Sequence, residues 1–301
     1  MNYYSYSQKL KEKYGEKVYK IPVDIGASCP NRDGKISRGG CIFCSPKGTG
    51  FESLCPEISP EKQLEKNILY IGQKYKVNKF IAYLQNYTNT YMEPEKLKNI
   101  LIKLCREDVV EIAVSTRPDC TGKEILDVID YVSKKCNKNI TIELGLQSIK
   151  NSTLEKINRG HSVEDFYESV KNIKKYGFEV CVHIILNLPW DTDEDLIFCA
   201  RELSRIKIDN VKIHSLYIVK NTVLGDMYQN GEISLISKDE YIKRLGLFIQ
   251  NLSSEIAVER FFARAPKEDT LFCNFGYSWR KLKNEFDNYI KINNIYQGKD
   301  L

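Results

Sequence analysis

From Val77 onward, short runs with apolar residues at every second position alternate with longer runs whose apolar residues recur at three- and four-residue spacing. The short runs begin near Lys79 (KFIAYLQN), Val110 (VEIAVSTRP), Ile140 (ITIELGLQS), Glu179 (EVCVHIILNLP) and Val211 (VKIHSLYIV), and predict β-strands. The longer runs include Leu64, Ile68, Ile71 and Tyr75; Leu97, Ile100, Leu101 and Leu104; and Phe166, Val170 and Ile173, each set covering one face of a helix. Thr121 with Glu124, Ser152 with Glu155, and Ser237 with Glu240 read as capping boxes, in which a hydroxyl and an acid satisfy free amides of a first turn. A first strand, Val18 to Gly26, precedes an irregular Cys-, Gly-, Pro- and Ser-rich stretch from Ala27 to about Ser59; a further β-like run lies at 257–263 and a last helix begins at Ser278. Strands separated by helices at roughly 30–40-residue spacing pair in parallel. The expected fold class is therefore α/β: a partial (βα)6 TIM-like barrel with a C-terminal β/α extension. No linker, repeat or low-complexity block intervenes, so a core barrel over residues 1–220, carrying the loop 27–59, is expected to have an extension, 221–301, packed on it.

Strand periodicity also assigns faces, because covering helices demand apolar residues on the outside. Ile142, Leu144 and Leu146 share one face and leave Glu143, Gly145 and Gln147 on the other. By the same count Phe80, Ala82 and Leu84 oppose Tyr83 and Gln85; Ile112 and Val114 oppose Ser115 and Arg117; Val182, Ile184 and Leu186 oppose His183 and Asn187; and Ile213 opposes Lys212 and His214. The inner wall is then polar, whereas an ordinary closed barrel fills with branched aliphatics, so the interior is expected to be solvated or to hold a ligand. His183 and His214 would position a substrate or act as acid or base, or be satisfied interior histidines. His161 would face a substrate or only neighbour the cap at Ser162. Lys212 and Lys220 would bind an acidic group or remain solvated.

Composition narrows the setting. With 301 residues, 42% apolar and 28% charged, the chain can build a full core. Ten cysteines are too sparse for a disulfide scaffold and the start has no apolar export segment, so reduced thiols and a cytoplasmic location are expected. No apolar run approaches the roughly 20 residues of a membrane helix, and no membrane partner is expected. The net charge of +5 permits a polyanionic partner without requiring one.

The densest chemical signal is Cys29-Pro-Asn-Arg-Asp-Gly-Lys-Ile-Ser-Arg-Gly-Gly-Cys41-Ile-Phe-Cys44, three thiols in a glycine-rich loop after the first strand. Loops at the C-terminal ends of barrel strands are where such folds place active sites. Three thiolates can hold three corners of a cubane iron–sulfur cluster and leave one iron open. Gly39 and Gly40 would let the backbone wrap tightly. With Cys55 as a fourth ligand the same thiols would instead make a structural zinc site; spacing leaves both open. The cysteines at 105, 120, 136, 181, 199 and 273 form no close sequence pair and are expected to be small buried hydrophobes.

Together with CPNRDG (29–34) and GGCIFC (39–44), the segments YLQNYTNTY (83–91), STRPDC (115–120), ELGLQS (143–148), INRGHS (157–162), KIHSLYIVKNT (212–222), Arg260 in ERFFARAP and Trp279 resemble the radical S-adenosylmethionine (SAM) superfamily, in the branch that includes the Elongator catalytic subunit and the methylthiotransferases. Within that branch the chain is most similar to stand-alone bacterial proteins of about this length linked to tRNA wobble-uridine modification. The resemblance, covering about Tyr14 to Tyr289, implies a radical SAM type of barrel. It implies a [4Fe-4S] cluster on Cys29, Cys41 and Cys44, SAM as the second cofactor, and reductive cleavage of SAM to a 5′-deoxyadenosyl radical. It further implies that Gln85, Tyr87 and Thr88 approach the SAM amino group, that Glu143 accepts from the ribose, that Arg159 pairs with the methionine carboxylate, and that Ser115, Arg117 and Gln147 line the same mouth. Relatives usually read Gly-Leu-Pro-Gly where this chain has Asn187-Leu-Pro-Trp190, so Trp190 would narrow or form the adenine pocket. The implied substrate is tRNA, with a wobble carboxymethylaminomethyl group converted to aminomethyl, and the implied electron donor is a flavodoxin or ferredoxin. Basic and aromatic residues interleave at Phe275, Tyr277, Trp279, Arg280, Lys281 and Lys283, as an RNA surface or as a helix packed on the barrel. The alternatives are the same chemistry on a small molecule or protein, and a non-catalytic, zinc-stabilised RNA-binding module.

Overall fold

The computed structural model describes residues 2–45, 48, 53–265 and 268–301, so positions 46, 47 and 49–52 of the cysteine-rich loop lie outside the described residues. In chain order the elements are α1 (Tyr6–Tyr14), β1 (Val18–Val23), α2 (Pro60–Tyr75), β2 (Lys79–Leu84), α3 (Pro94–Lys103), β3 (Val109–Thr116), α4 (Lys123–Cys136), β4 (Asn139–Gln147), α5 (Asn151–Lys156), α6 (Val163–Lys174) and β5 (Glu179–Ile185). There follow α7 (Asp193–Arg205), β6 (Asn210–His214), β7 (Tyr217–Val219), α8 (Val223–Gln229), α9 (Lys238–Gln250), β8 (Ala257–Val258), β9 (Thr270–Cys273) and α10 (Trp279–Ile292). Seven strands form one sheet in the order β1-β2-β3-β4-β5-β6-β8, every neighbouring pair parallel. This curled sheet with its outer helices is the partial TIM-like barrel that the strand spacing predicts. The run at 257–263 supplies the seventh strand, and its pairing with β6 continues through Glu259 and Arg260, whose backbones bond Val211 and Ile213. β7 and β9 make a separate antiparallel pair.

The outward set predicted by periodicity is the core. Ile112, Val114, Ile142, Leu144, Leu146, Val182, Ile184, Leu186 and Ile213 are buried under the helices, with Phe166, Val170 and Ile173 of α6 and Leu97 and Leu101 of α3 against them. Each such side chain contributes about 1.5–3 kcal/mol by leaving water. Helix starts follow the predicted chemistry at Ser237, where the capping box with Glu240 is present. The other two boxes are not formed. Gly122 caps α4, while Thr121 donates to the Pro118 carbonyl and meets Ser169; α5 starts one residue before Ser152, with Lys150 at the cap. Two boxes with aspartate as the acid, Ser162 with Asp165 and Thr192 with Asp195, open α6 and α7.

The floor of the barrel corrects the expectation of a uniformly polar interior. Helix α1, unanticipated although Ser5 caps it and Tyr6 and Leu10 are one turn apart, packs those two residues on the inward-facing Ile81, Tyr83, Ala113 and Ala257. Below them an ionic layer seals the strand N-termini: Lys9 reaches Glu179 and Asn210 at 2.9 Å each, and Lys13 and Tyr14 reach Glu111 at 3.1 and 2.6 Å. Cys105 and Cys136, distant in sequence, meet side chain to side chain, and burial with that contact pushes the Cys105 thiol up to about 12. No described helix is long and apolar enough to cross a membrane.

Candidate active site

The strand C-termini and the loops after them enclose one cavity, lined among others by Cys29, Cys41 and Cys44, by Gln85, Tyr87 and Thr88, by Ser115 and Arg117, by Glu143, Gln147 and Arg159, and by His183, Lys212 and His214. Every inward residue singled out from strand periodicity except Asn187 reaches it. The β3–β4–β5–β6 register explains the convergence: Ser115 pairs with Glu143, and Gly145 with His183, which in turn pairs with Lys212. Residues side by side in parallel strands with the same parity point to the same side.

At the mouth, Gly39 and Gly40 take left-handed backbone (φ 85° and 89°) and fold the cysteine loop onto the barrel; the Ile42 amide bonds the Ile157 carbonyl. Nitrogen donors surround the sulfurs: Arg32 Nη1 lies 3.4 Å from Cys44 Sγ, and Asn31 Nδ2 and Arg159 Nη1 each lie 3.6 Å from Cys41 Sγ. Burial, together with the neighbouring Cys41, pushes the Cys44 thiol up to about 11. The three thiols do not form a single-ion site. Among the described residues the trio of Cys, His, Asp or Glu whose ligand atoms all lie within 4.8 Å is Glu143, Cys181 and His183, so at least one pair of the three loop sulfurs is wider than that. A tetrahedral zinc with Zn–S near 2.3 Å would hold sulfurs about 3.8 Å apart. Cys55 is exposed and does not line the cavity. Three thiols with at least one pair wider than 4.8 Å, and with Asn31 and Arg159 at Cys41 and Arg32 at Cys44, fit a larger, negatively charged cluster, whose sulfurs take hydrogen bonds of this kind.

Deeper, Glu143 is wholly buried, and two lysines and a histidine converge on it: Lys20 Nζ donates to Oε1 at 2.5 Å, while His183 Nε2 and Lys212 Nζ meet Oε2 at 2.6 and 3.1 Å. Lys20 and Lys212 also pair with Glu259, at 2.6 and 3.2 Å. Burial alone would raise the Glu143 pKa, but Lys20, Lys212 and His183 outweigh it and hold the carboxylate well below its usual range. Burial and Lys212 lower His183, so the ring is neutral. Three of roughly four carboxylate lone pairs are used, leaving about one for a further donor. The same lysines disfavour a cation at the Glu143–Cys181–His183 trio.

Several of the expected site residues also brace one another. The Arg117 guanidinium donates to Asp119, 2.9 Å from each oxygen, and to the Arg159 carbonyl at 2.7 Å, so three of its five N–H groups hold the cavity wall together. The Arg159 fork is engaged by the Gly145 carbonyl and His161, at 2.8 and 2.9 Å, which fixes it in the cavity wall beside Cys41. His161 is buried outside the cavity lining, lowered to about 3 by burial and Arg159, and supports that arginine. Asn187 accepts from the Leu216 amide at 2.6 Å and fixes the turn between β6 and β7. Neither it nor Trp190, which lies under Lys156, lines the cavity. Lys220 is exposed and away from the site.

The residues that sequence reasoning passed over are Lys20, Glu259, Arg32 and Arg264. Arg264 lines the mouth and lies 5.4 Å over the Trp279 ring, with Arg280 5.3 Å from the same ring. Beside them Tyr277 carries Lys281 at 4.2 Å and Lys238 at 5.4 Å. Trp279 and Tyr277 remain 39% and 41% exposed, whereas Phe275 is half-buried and Lys283 is tied to Asp287, so the predicted basic–aromatic stretch divides into an exposed rim and a packed part.

Residues 29–203 match the radical SAM superfamily and residues 208–291 the radical SAM C-terminal domain. The uncharacterized protein MJ0486 of Methanocaldococcus jannaschii is 35% identical over 97% of this chain and 90% of its own, and YtqA of Bacillus subtilis 31% identical over 99% and 92%. A tRNA uridine(34) acetyltransferase of Methanocaldococcus jannaschii is 30% identical over 44% of this chain and 24% of its own. In fold the chain is similar to the archaeal Elp3 of Methanocaldococcus infernus, with a TM-score of 0.70 at 19% identity over 93% of this chain and 64% of that one. Matched over most of its barrel and related end to end to YtqA, the chain belongs to the radical SAM superfamily of enzymes.

Proposed function

We propose that Cys29, Cys41 and Cys44 hold a [4Fe-4S] cluster and that SAM lies beneath it in the polar cavity, against Gln85, Tyr87, Thr88, Ser115, Gln147 and the remaining acceptor position of Glu143. When bound, the pair supplies a one-electron reductive cleavage that gives methionine and a 5′-deoxyadenosyl radical able to take hydrogen from an unactivated carbon. The observation that carries this reading is that the three loop cysteines, at least one pair of sulfurs wider than 4.8 Å, line one cavity with polar side chains. The chain's own residues do the rest. Arg32 and Asn31 donate to sulfur; Arg117 and His161 brace Arg159 against Cys41; Lys20 and Lys212 keep Glu143 ionised so that it accepts and does not donate. The buried floor under α1 excludes water from below.

The substrate in this reading is tRNA, at the wobble uridine, with a carboxymethylaminomethyl group converted to aminomethyl, and the electron comes from a flavodoxin or ferredoxin. Support comes from the partial relative that acts on tRNA uridine 34 and from the exposed Arg264–Trp279–Arg280 and Tyr277–Lys281 stacks at the mouth, where aromatic faces and cations suit bases and phosphates. Protein purified anaerobically is expected to be brown with about four irons and four sulfides per chain, and Cys41→Ser to lose the colour while staying folded. Colourless protein retaining zinc would overturn the cluster. Nucleoside mass spectrometry of tRNA from cells lacking the protein is expected to show unconverted carboxymethylaminomethyluridine; an unchanged profile would overturn the tRNA substrate.

A further inference from the structure

We infer that His214 and Arg260, on the β6–β8 wall of the cavity, form a receptor for an anionic group of the substrate, a carboxylate or phosphate oxygen. Arg260 Nη2 lies 2.7 Å from His214 Nδ1, and a guanidinium only donates, so Nδ1 carries the lone pair and the proton of the neutral ring sits on Nε2. That Nε2 is buried without a partner among the described residues, and so is Arg260 Nε. Both residues line the cavity. Two adjacent buried donors, each lacking an acceptor, ask for oxygen.

Charge points the same way. Among the described residues Arg260 has no carboxylate partner, because Glu143 and Glu259 are taken up by Lys20 and Lys212. Arg32 and Arg264 add positive charge at the mouth. Burial, Arg260, His183 and Lys212 together hold His214 well below its ordinary pKa, so the ring keeps this neutral tautomer near pH 7. A guanidinium with a neutral N–H beside it suits a two-oxygen acceptor. This rests on the reading of the cavity as a substrate pocket; the carboxylate of a carboxymethylaminomethyl group is one such acceptor.

The chain has three histidines, so ¹⁵N-histidine labelling of the anaerobically reconstituted holoenzyme gives few signals to assign. His214 is expected in the Nε2–H tautomer, and its signal to move saturably on titration with N-methylglycine or with inorganic phosphate, the responding anion identifying the group. Arg260→Gln is expected to weaken that response at least about tenfold, as loss of a charge-assisted pair does, with SAM affinity unchanged. Arg260→Lys, which keeps the charge and loses the fork, is expected to fall between. An Nδ1–H tautomer, no movement with either anion, an unaltered response in both variants, or loss of SAM binding in Arg260→Gln would each overturn the receptor.

A second measurement separates it from the RNA reading. Wobble stem-loop RNA carrying carboxymethylaminomethyluridine is expected to bind more tightly than the aminomethyl form, and Arg260→Gln to erase the difference. Where N-methylglycine is the responding anion, equal binding of both RNAs would overturn the receptor while leaving RNA as substrate. Anion response with no RNA binding would overturn the RNA and keep the receptor.

Discussion

Glu143 shows how much of a site a single position discloses and how much it withholds. Its inward direction follows from the parity of β4 alone. Its partners do not, because Lys20 lies 123 residues earlier and the companion carboxylate Glu259 directly follows the last parallel strand. Two buried lysines held by two buried glutamates make each carboxylate indispensable to the others' charge. Glu143→Gln keeps the volume and strands the lysines, and is expected to cost about 3–5 kcal/mol, the range for breaking a buried pair from one side; urea unfolding measures it, and a cost under 1 kcal/mol would contradict the network. Arg117 carries the opposite lesson. Family likeness and parity place it at the mouth, where it lines the cavity, while Asp119, two residues on, is the visible sign that part of its guanidinium is engaged locally.

Among the elements, the strands were legible from alternation, and the helices from their apolar stripes, because sheet and helix bury different periods. Helix starts were read less well. A hydroxyl three residues before a glutamate reads as a box at Thr121 and Ser152, but the Thr121 hydroxyl is engaged by Pro118 and Ser169 and Ser152 already lies inside α5; the aspartate boxes at Ser162 and Thr192 are built beside the one at Ser237. Ser162→Ala is therefore expected to cost about 1 kcal/mol, as loss of an N-cap does, and Ser152→Ala, inside α5, markedly less; paired denaturation curves check the contrast. The end of β4 was also beyond periodicity. Its register shifts between Gly145 and Gln147, and Gln147 takes φ 72°. A β-carbon at Gly145 would meet Arg159 Nη2 at 2.5 Å, so the bare backbone there is what lets the arginine bond the Gly145 carbonyl and reach Cys41.

For the molecule as a whole, the buried ionisable groups give acid sensitivity one sign. All three histidines have lowered pKa values, His161 to about 3, with burial as the first cause in each. Between an unfolded value near 6.5 and the lowered native values, the unfolded chain binds the extra protons, so stability falls as pH falls, by up to about 1.4 kcal/mol per unit for each group. Glu143 and Glu259, depressed against their lysines despite burial, contribute stability that is present above about 4.5 and lost below it as pH falls through their folded values. The melting temperature is expected to drop steadily from pH 7 to 5 and faster below about 4.5; scanning calorimetry across that range checks it, and a flat profile would contradict the assignment. Global architecture was readable because strand–helix spacing permits few topologies. The helix beneath the barrel was not, because what it covers is assembled from strands far apart in sequence.

That helix closes the chamber from below among the described residues. If a small cofactor fills the far end and a nucleic acid covers the mouth, as proposed, the small visitor would have to load while the threshold is clear, and its fragments would wait inside until the larger guest departs.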